Sequence, residues 1–587
     1  MRHVGSRAKR PDDPRILTGR GRYVVHDLIL PRMVHVAFVR SVHAHARLGR
    51  VGVGAARRAP DVVGVLTGAE AARLCKPYRG VLAHYRGMKT GAMQPLAVER
   101  VRYVGEPIVA VAATSRAAAE DAARRVAVEY EPLPAVLDPG TALAPGAPLI
   151  HEALGDHLID ETRLTAGDVA GALAAAHRVY TREFTIGRHT GVPVEPRSLV
   201  ADYEPSTRAL TLWISSQVYD SGSYHAALET LLEAAGYDAL RGEQRAARAA
   251  GRAVGIGLSC FVELTGPGAQ FYGVGGAPIS GQEGTTVRLE PSGAVTVLTG
   301  VTDQGQGTRT ALAQIVVDEL GVPLEAVAVL SGDTGVVPYG GGTWASRGMP
   351  IGGSATLLAV RALRDRVRRV AAALLEAHEG DIELAEGRVH VRGSPDRTLT
   401  LGQVANTVWF RSNELRGVEP SLEATVHYTN PGAWTFTNGA HLAVVEVDPE
   451  TGRVRVVKYV AVDDCGTLVN PALVDGQVRG GVAQGIGGAL WEHCVYDDTG
   501  QLLTTTLMDY AVPTAADLPP IDVHHLETPA PSIAGGYKGA GEGGTAGAPA
   551  AILNAVNDAL APFGAMVTDQ PVTPERVLRA LGRLRRA

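Results

Sequence analysis

Four glycine-rich segments hold the residues best suited to chemistry, and each of them meets a run with the composition of a helix. The first is residues 303–308 (DQGQGT), directly before apolar positions spaced for a helix. Glycine lets backbone N–H groups approach a ligand, and a helix N-terminus favours an anion, so phosphate suits this segment. Gln304 and Gln306 add amides that both donate and accept hydrogen bonds. A tight turn before a helix is the other interpretation.

The second and third segments combine glycine with helix-like runs in the same way. Residues 340–348 (GGGTWASRG) lie ahead of a predicted helix from about residue 352. The third segment begins at residues 464–466 (DCG) and continues through Asn470 into a run with five glycines between residues 480 and 488. Because glycine is costly inside an isolated helix, this run is expected to pack closely against a ligand or against another helix. Both interpretations stay open on the sequence.

The fourth segment, residues 538–544 (KGAGEGG), formally contains the G-x-G-x-x-G pattern of dinucleotide-binding folds. Residues 531–537 before it are not a Val/Ile-rich strand, and that pattern would place Glu542 beside a pyrophosphate, so we reject the dinucleotide interpretation. A single carboxylate on a glycine-walled loop suits a general base presented to a buried site. A solvated loop glutamate is the commoner case and remains the alternative.

The N-terminal elements read as a small α/β domain. Pro107–Ala113 predicts a strand, Ser115 an N-cap, and residues 126–130 a second strand after an alanine-rich helix. Prolines then recur between residues 132 and 148 and indicate a linker. The sequence therefore predicts a first domain over residues 1–140.

The rest of the chain also alternates strands and helices. Residues 150–217 predict mainly strands, and an Ala- and Leu-rich helical stretch follows to about residue 250. Thr308–Leu320 predicts a helix that Gly321 ends, and Ser354–Ala377 predicts another. The fold class is therefore α/β in the broad sense that includes α+β.

Composition excludes several classes of function. The net charge of -5 gives no basic footprint for nucleic acid. The four cysteines lie far apart without a C-x-x-C pair, so no zinc or iron–sulfur site held by this chain is expected, and any cluster must belong to another chain. No apolar run reaches the length of a membrane span, and residues 1–7 lack the apolar stretch of a secretory signal. We expect a cytoplasmic location.

Taken together, the motifs resemble the large subunits of molybdenum hydroxylases of the xanthine dehydrogenase type, nearest the aerobic carbon monoxide dehydrogenase-like branch. Residues 5–7 (GSR), 13–19 (DPRILTG), 40–46 (RSVHAHA) and 103–107 (YVGEP) resemble the N-terminal hammerhead domain of that family. The four glycine-rich segments resemble its molybdopterin-binding loops. Since one phosphate-rich cofactor needs donors from several directions, we expect these segments to converge in space.

The resemblance implies a fold and a division into domains. A hammerhead-type α/β domain over residues 1–140 would precede a large, internally truncated molybdopterin-binding α/β region. Within that region, residues 141–217 would be the start of the first molybdopterin-binding domain. Residues 218–587 would be the remainder of the first domain and the second.

The resemblance also implies a cofactor and its contacts. The cofactor would be molybdopterin, as the cytosine dinucleotide or a related form, carrying Mo without a protein ligand to the metal. Glu542 would be the catalytic base, and Lys538 would lie beside the pterin. The implied cofactor-binding residues are Gln304, Gly305, Gln306, Gly307, Thr343, Trp344, Ala345, Ser346, Arg347, Asp464, Cys465, Asn470, Gln477, Lys538, Gly539 and Gly541.

The implied activity is oxidative hydroxylation of a small substrate, with water as the oxygen source. Electrons would pass to a small [2Fe–2S] subunit and a medium FAD-binding subunit, in a dimer of heterotrimers. No nucleic acid and no membrane span would take part.

The sequence departs from the family at one point. After residues 213–217 (WISSQ), family members continue into a domain-sized segment with a Gly-Gly-Gly-Phe-Gly loop, whereas here its two flanks abut at Gln217–Val218. No cysteine lies near that junction to match the copper-binding cysteine of carbon monoxide dehydrogenases, so carbon monoxide oxidation is not implied. The alternatives to an active large subunit are an internally deleted, inactive relic and one part of a split enzyme.

Overall fold

The computed structural model describes residues 3–10, 14, 18, 30–78, 88–161, 167–190, 200–204, 209–213, 225–268, 280–415, 417–432 and 434–584. Most of the 13–19 motif and the Gln217–Val218 junction lie outside the described residues. Among the described residues, no helix is both long and apolar enough to cross a membrane.

The N-terminal unit contains two small three-stranded sheets, with strand orders β1-β5-β3 and β4-β2-β6. Its strands are β1 (His35–Arg40), β2 (Ala46–Gly52), β3 (Val62–Thr67), β4 (Arg100–Val101), β5 (Pro107–Ala113) and β6 (Ala127–Pro132). Its helices are α1 (Gly54–Arg57), α2 (Gly68–Leu74) and α3 (Arg116–Ala123), and α4 (Pro139–Ala142) lies within the proline-rich linker. The predicted strand β5 and the Ser115 N-cap of α3 are confirmed.

The described residues of the segment that follows include a helix as well as strands. It comprises α5 (Val169–Ala175), β7 (Thr185–Ile186), β8 (Val200–Glu204) and β9 (Ala209–Trp213). The alanine-rich run at 169–175 forms a helix because Asp168 caps it by accepting a hydrogen bond from the Gly171 N–H at 2.9 Å. The prediction of mainly strands over residues 150–217 is therefore wrong at α5.

The remainder is built on two four-stranded sheets, with strand orders β10-β18-β19-β20 and β13-β12-β11-β17. The strands are β10 (Ala253–Thr265), β11 (Gln282–Leu289), β12 (Val295–Thr299), β13 (Val327–Ser331), β14 (Ile382–Ala385), β15 (Arg388–Val391), β16 (Ser394–Thr400), β17 (Glu423–Thr429), β18 (Thr435–Val447), β19 (Val454–Asp464), β20 (Ile521–Leu526) and β21 (Asp569–Gln570). The helices are α6 (His225–Ala235), α7 (Tyr237–Ala249), α8 (Thr308–Leu320), α9 (Ser354–Leu374), α10 (Leu401–Phe410), α11 (Pro471–Leu490), α12 (Gly543–Leu560) and α13 (Pro574–Ala580).

Each large sheet is held by helices that bury its apolar side chains. In the sheet β10-β18-β19-β20, α12 and α11 cover one face, while α6 and α7 cover the other. Helices α8 and α9 pack on the second sheet. The predicted helix Thr308–Leu320 has the expected bounds, with Gly321 in the left-handed conformation at its end. The second predicted helix ends at Leu374, three residues earlier than expected.

The glycine run at 480–488 lies in α11 and packs against α12. A Cβ added at Gly481 would lie 2.8 Å from the Thr545 backbone nitrogen, so only a hydrogen fits there. Gly485 faces Ala548 and Pro549 of the same neighbouring helix. Of the two interpretations of this run, helix–helix packing is the one that the structure supports.

Two neighbouring glycines of α11 provide a test of this packing. We expect Gly481→Ala to destabilise the protein by about 1–3 kcal/mol, because the added methyl group overpacks the contact with α12. Gly480→Ala is the matched control: nothing lies within 4 Å of its added Cβ, and alanine favours a helix by up to about 1 kcal/mol. Urea unfolding of both variants measures the difference, and equal effects would contradict the packing role of Gly481.

Candidate functional site

The four glycine-rich segments meet at one cleft. Ten of the predicted cofactor-binding residues line it, namely Gln306, Gly307, Thr343, Ser346, Cys465, Asn470, Gln477, Lys538, Gly539 and Gly541. Apolar side chains complete the wall, among them Met349 and Leu473. The expected convergence is therefore present, while the role of these residues in cofactor binding stays a prediction.

The first loop is stabilised by Asp303, which the sequence analysis did not single out. Its Oδ1 accepts hydrogen bonds from the N–H groups of Gly305 and Gly307 at 2.9 and 3.3 Å, and its Oδ2 accepts one from the Arg309 N–H at 3.0 Å. The Asp303 carboxylate therefore accepts the hydrogen bonds of N–H groups at the start of α8 that we had expected to donate to a phosphate. Gln304 and Gly305 are not among the described residues that line the cleft.

The second loop is held by a buried ion pair. The Arg347 side chain is fully buried, and its Nη1 lies 2.7 Å from Oε2 of Glu283, which is also fully buried. Nη2 of the same guanidinium donates to the Gln282 carbonyl at 2.7 Å. Arg347 therefore holds the loop on β11 and does not present its charge to the cleft, which differs from the predicted cofactor contact.

Trp344, Ala345 and Ser346 complete this loop. The Trp344 indole N–H donates to the Gly341 carbonyl at 2.7 Å, and the Gly266 N–H donates to the Ala345 carbonyl at 2.9 Å. Ala345 and Ser346 have φ angles of 53° and 44°, a conformation that residues with a side chain adopt rarely and that is common at functional sites. As a result, the Ser346 hydroxyl donates to Oε2 of Glu542 at 3.2 Å.

The third segment places Cys465 in the cleft wall and Asp464 beneath it. Oδ1 of Asp464 accepts hydrogen bonds from the N–H groups of Gly466 and Thr528 and lies 3.4 Å from Nζ of Lys538. Burial, with the nearby Asp463 and Asp464 charges, raises the pKa of the Cys465 thiol far above its usual range. Cys465 is therefore a neutral polar wall of the cleft at physiological pH.

Asn470 begins helix α11 and joins three parts of the chain. Its Oδ1 accepts from the Ala472 and Leu473 N–H groups, and its Nδ2 donates to Oε1 of Gln314 at 2.7 Å and to the Ala8 carbonyl at 3.0 Å. Much of its hydrogen-bonding capacity therefore serves the fold.

The fourth segment brings a cation and a carboxylate to opposite ends of a tight loop. Lys538 lines the cleft and is 7% exposed. At Gly539 an added Cβ would lie 2.5 Å from the Ser346 Cβ, so the loop can pass the second segment only with glycine there. Glu542, the N-cap residue of α12, is half-buried, and burial raises its pKa although the Ser346 hydrogen bond opposes the shift.

The chemistry of the cleft suits an anionic, hydrogen-bonding ligand. Among the lining residues that the structure describes, Lys538 supplies a positive charge and none is a carboxylate. Gln306, Asn470 and Gln477 supply amides that match donors and acceptors on a planar ring. Glu542 stands just outside, next to Gly541 in the chain and bonded to Ser346. This donor set fits a pterin with a phosphate group.

Family models match three stretches of the chain. One described as the "Aldehyde oxidase and xanthine dehydrogenase, a/b hammerhead domain" matches residues 18–134. Two described as "Molybdopterin cofactor-binding domain" match residues 150–232 and 230–519.

Known proteins are similar along nearly the whole chain. The nicotine 6-hydroxylase large subunit of Paenarthrobacter nicotinovorans is 31% identical over 774 residues, which take in 98% of this chain and 94% of the relative. The carbon monoxide dehydrogenase large chain of Afipia carboxidovorans is 27% identical, over 96% of this chain and 95% of the relative.

The fold agrees with solved structures of the same kind. The quinoline 2-oxidoreductase from Pseudomonas putida 86 matches with a TM-score of 0.90 and 31% identity, over 100% of this chain and 99% of that one. The Cu,Mo-CO dehydrogenase matches with a TM-score of 0.86 and 25% identity, over 99% of each chain. The chain thus belongs to the molybdopterin-dependent oxidoreductases, as a member of the large-subunit family of xanthine dehydrogenase and carbon monoxide dehydrogenase-type molybdenum hydroxylases.

Proposed function

We propose that this chain is the large subunit of a molybdenum hydroxylase that oxidatively hydroxylates a small substrate with water as the oxygen source. The observation that carries the proposal is the meeting of four distant glycine-rich segments at one cleft, with Glu542 hydrogen-bonded to its wall through Ser346. Glu542 is thereby a carboxylate held at the edge of a cleft that has no other carboxylate among its described lining residues, a position that suits a general base.

The cofactor in this proposal is molybdopterin, as the cytosine dinucleotide. Lys538 would hold its negative charge, and Gln306 and Gln477 would bind the polar edges of its rings. Gly539 and Gly541 would let the backbone pass close to it. When bound, the molybdenum centre supplies the two-electron oxidation. The residues behind the wall, including Arg347 and Asp464, would fix the loops.

The role of Glu542 is to accept a proton at one of its carboxylate oxygens. Burial raises the pKa of this carboxyl, which makes its carboxylate a stronger proton acceptor. The Ser346 hydroxyl donates to Oε2 and so fixes the orientation of the group. Its other oxygen, Oε1, would receive the proton.

Partner subunits follow from what the relatives are. The names of the relatives describe a large subunit, a large chain and a subunit of a dehydrogenase complex. We infer that this chain also works in a complex, with a [2Fe–2S] subunit and an FAD-binding subunit that take the electrons, as a dimer of heterotrimers.

We expect Glu542→Gln to lower turnover by roughly 10²–10⁴-fold, because glutamine keeps the size and the hydrogen bond to Ser346 but cannot accept the proton. Molybdenum content should not change. Glu492→Gln is the matched control, since Glu492 is a buried glutamate paired with Tyr510 outside the cleft. Steady-state kinetics with metal analysis measures both effects, and a Glu542→Gln enzyme as fast as the parent would refute the role.

A specific observation favours the split enzyme as a second candidate. The match to the nicotine 6-hydroxylase large subunit spans 774 positions, whereas this chain has 587 residues, of which 98% are matched. About 200 positions of the match therefore have no counterpart in this chain. In the described segment 167–190, which precedes the proposed junction in the chain, apolar side chains are exposed, including Leu173 (54%), Tyr180 (70%) and Ile186 (69%). Apolar surface of this kind is typical of an interface. A separate polypeptide would supply the missing module.

We expect the unmatched segment of the nicotine 6-hydroxylase large subunit, expressed as a separate polypeptide, to bind this chain. Binding should slow amide hydrogen exchange in residues 168–190, because a partner covers their exposed apolar side chains. Strands β1 and β3 of the N-terminal unit serve as the internal control and should not change. Unaltered exchange at 168–190, together with a purified chain that holds no molybdenum, would favour the inactive relic.

A further inference from the structure

Three buried titratable side chains lie beneath the N-terminal part of α12, the helix that Glu542 caps. Glu263 of β10 pairs with Thr437 of β18, and Asp463 of β19 pairs with Gly439 of β18. Since residues 437, 439 and 441 of β18 lie on the same face, Glu263, His441 and Asp463 share one face of the sheet. Their relative exposures are 6%, 0% and 2%, respectively. None of the three belongs to the cleft described above.

Helix α12 closes this cluster from above. A Cβ at Gly543 would lie 2.8 Å from Oδ1 of Asp463, and one at Gly547 would lie 2.7 Å from Nδ1 of His441. Glu542 is the N-cap residue of the same helix and precedes Gly543 in the chain, so the cluster lies at the helix end that carries Glu542. The N-terminus of a helix favours a negative charge nearby, which suits Asp463.

Each side chain of the cluster has one buried atom without a hydrogen-bond partner among the described residues. These atoms are Oε1 of Glu263, Nε2 of His441 and Oδ2 of Asp463. The distance between Nε2 of His441 and Oδ2 of Asp463 is 3.7 Å, too long for a direct hydrogen bond. Nδ1 of His441, by contrast, is bonded to the Tyr459 hydroxyl at 2.9 Å. Buried polar atoms left unpaired in a group are the usual partners of an enclosed water molecule.

The charges of the cluster cannot all be present together. Glu263, Asp463 and Glu542 are three carboxyls beside a single imidazole in a space of low dielectric, where like charges repel strongly. Burial, followed by the charges of Glu542 and Asp463, raises the pKa of Glu263 to about 9. Glu263 is therefore neutral at physiological pH.

We propose that Glu263 is a positioning residue for Glu542: at a buried water site formed with Asp463 and His441, it holds the one proton that the two glutamates share. The negative charge of the pair then stays on Glu542. Any role of this arrangement in turnover rests on the proposed function. The presence of the shared proton does not depend on that function. It is a property of the chain without cofactor, so it can be tested separately.

The test is a double-mutant cycle on the full chain without cofactor, read as melting temperature at about pH 5.5 and about pH 8.5. A folded-state pKa above the ordinary value of 4.5 means that unfolding releases the Glu263 proton between about pH 4.5 and about pH 9, so stability falls as pH rises through that window. Glu263→Gln removes this loss. Its melting temperature relative to the parent should rise by at least about 2 °C between the two pH values.

The second side of the cycle measures the coupling to Glu542. In a Glu542→Gln background the repelling charge is gone, so the gain from Glu263→Gln at about pH 8.5 should be smaller than in the parent. Glu492→Gln is the control for the cycle. It is a buried carboxyl whose pKa burial also raises, but it lies outside the cluster and should be additive with Glu542→Gln. A gain from Glu263→Gln that is independent of pH, or equal in both backgrounds, would overturn the proposal.

Infrared spectroscopy covers the case in which Glu263→Gln does not fold. The C=O stretch of a protonated carboxyl is distinct from the carboxylate bands, so the parent should show a protonated carboxyl that titrates near pH 9. In Glu542→Gln this titration should move to lower pH, whereas in Glu492→Gln it should stay in place. An unmoved titration in Glu542→Gln contradicts the shared proton. Loss of turnover in Glu542→Gln bears only on the proposed function.

Discussion

The buried ion pair between Arg347 and Glu283 is the interaction on which the geometry of the site depends. It ties the second glycine-rich loop to strand β11 with both charges out of water. Removing one partner of such a pair costs about 3–5 kcal/mol, because the other charge is left buried alone. That hold allows Ala345 and Ser346 to keep left-handed backbone angles, and these angles aim the Ser346 hydroxyl at Glu542.

Charge is divided between two separate places around this loop. On the cleft side, Lys538 lies near Asp464 and the Cys465 thiol is kept neutral by burial. Behind the loop, acidic groups accumulate around Glu263. Glu542 stands at the boundary between them, where burial raises its pKa and the Ser346 hydrogen bond opposes that shift.

The local elements of this fold and the convergence of the glycine-rich segments could be predicted from the sequence, whereas the individual long-range contacts could not. The helix Thr308–Leu320 and the strand Pro107–Ala113 have their expected bounds because propensity and end signals agree there. The four glycine-rich segments could be recognised because each of them meets a run with the composition of a helix. The partner of Arg347 lies 64 residues away in a strand with no distinctive pattern, so only the fold reveals it. Likewise, Asp303 was read as part of a phosphate loop, although it occupies the loop's own N–H groups.

The chain is held to the rest of the molecule on both sides of the proposed junction at Gln217–Val218. Before that point, β7 pairs in parallel with β21 near the C-terminus, and the Arg188 carbonyl accepts a hydrogen bond from the Cys494 N–H at 2.7 Å. After it, α6 buries Leu231 against the sheet β10-β18-β19-β20. Insertions and deletions are tolerated best where the flanking backbone is held by its own contacts, and the stems on both sides of the junction have such contacts. With both stems attached in this way, the proposed junction would be a position where a whole module could be gained or lost while the framework on either side stays in place.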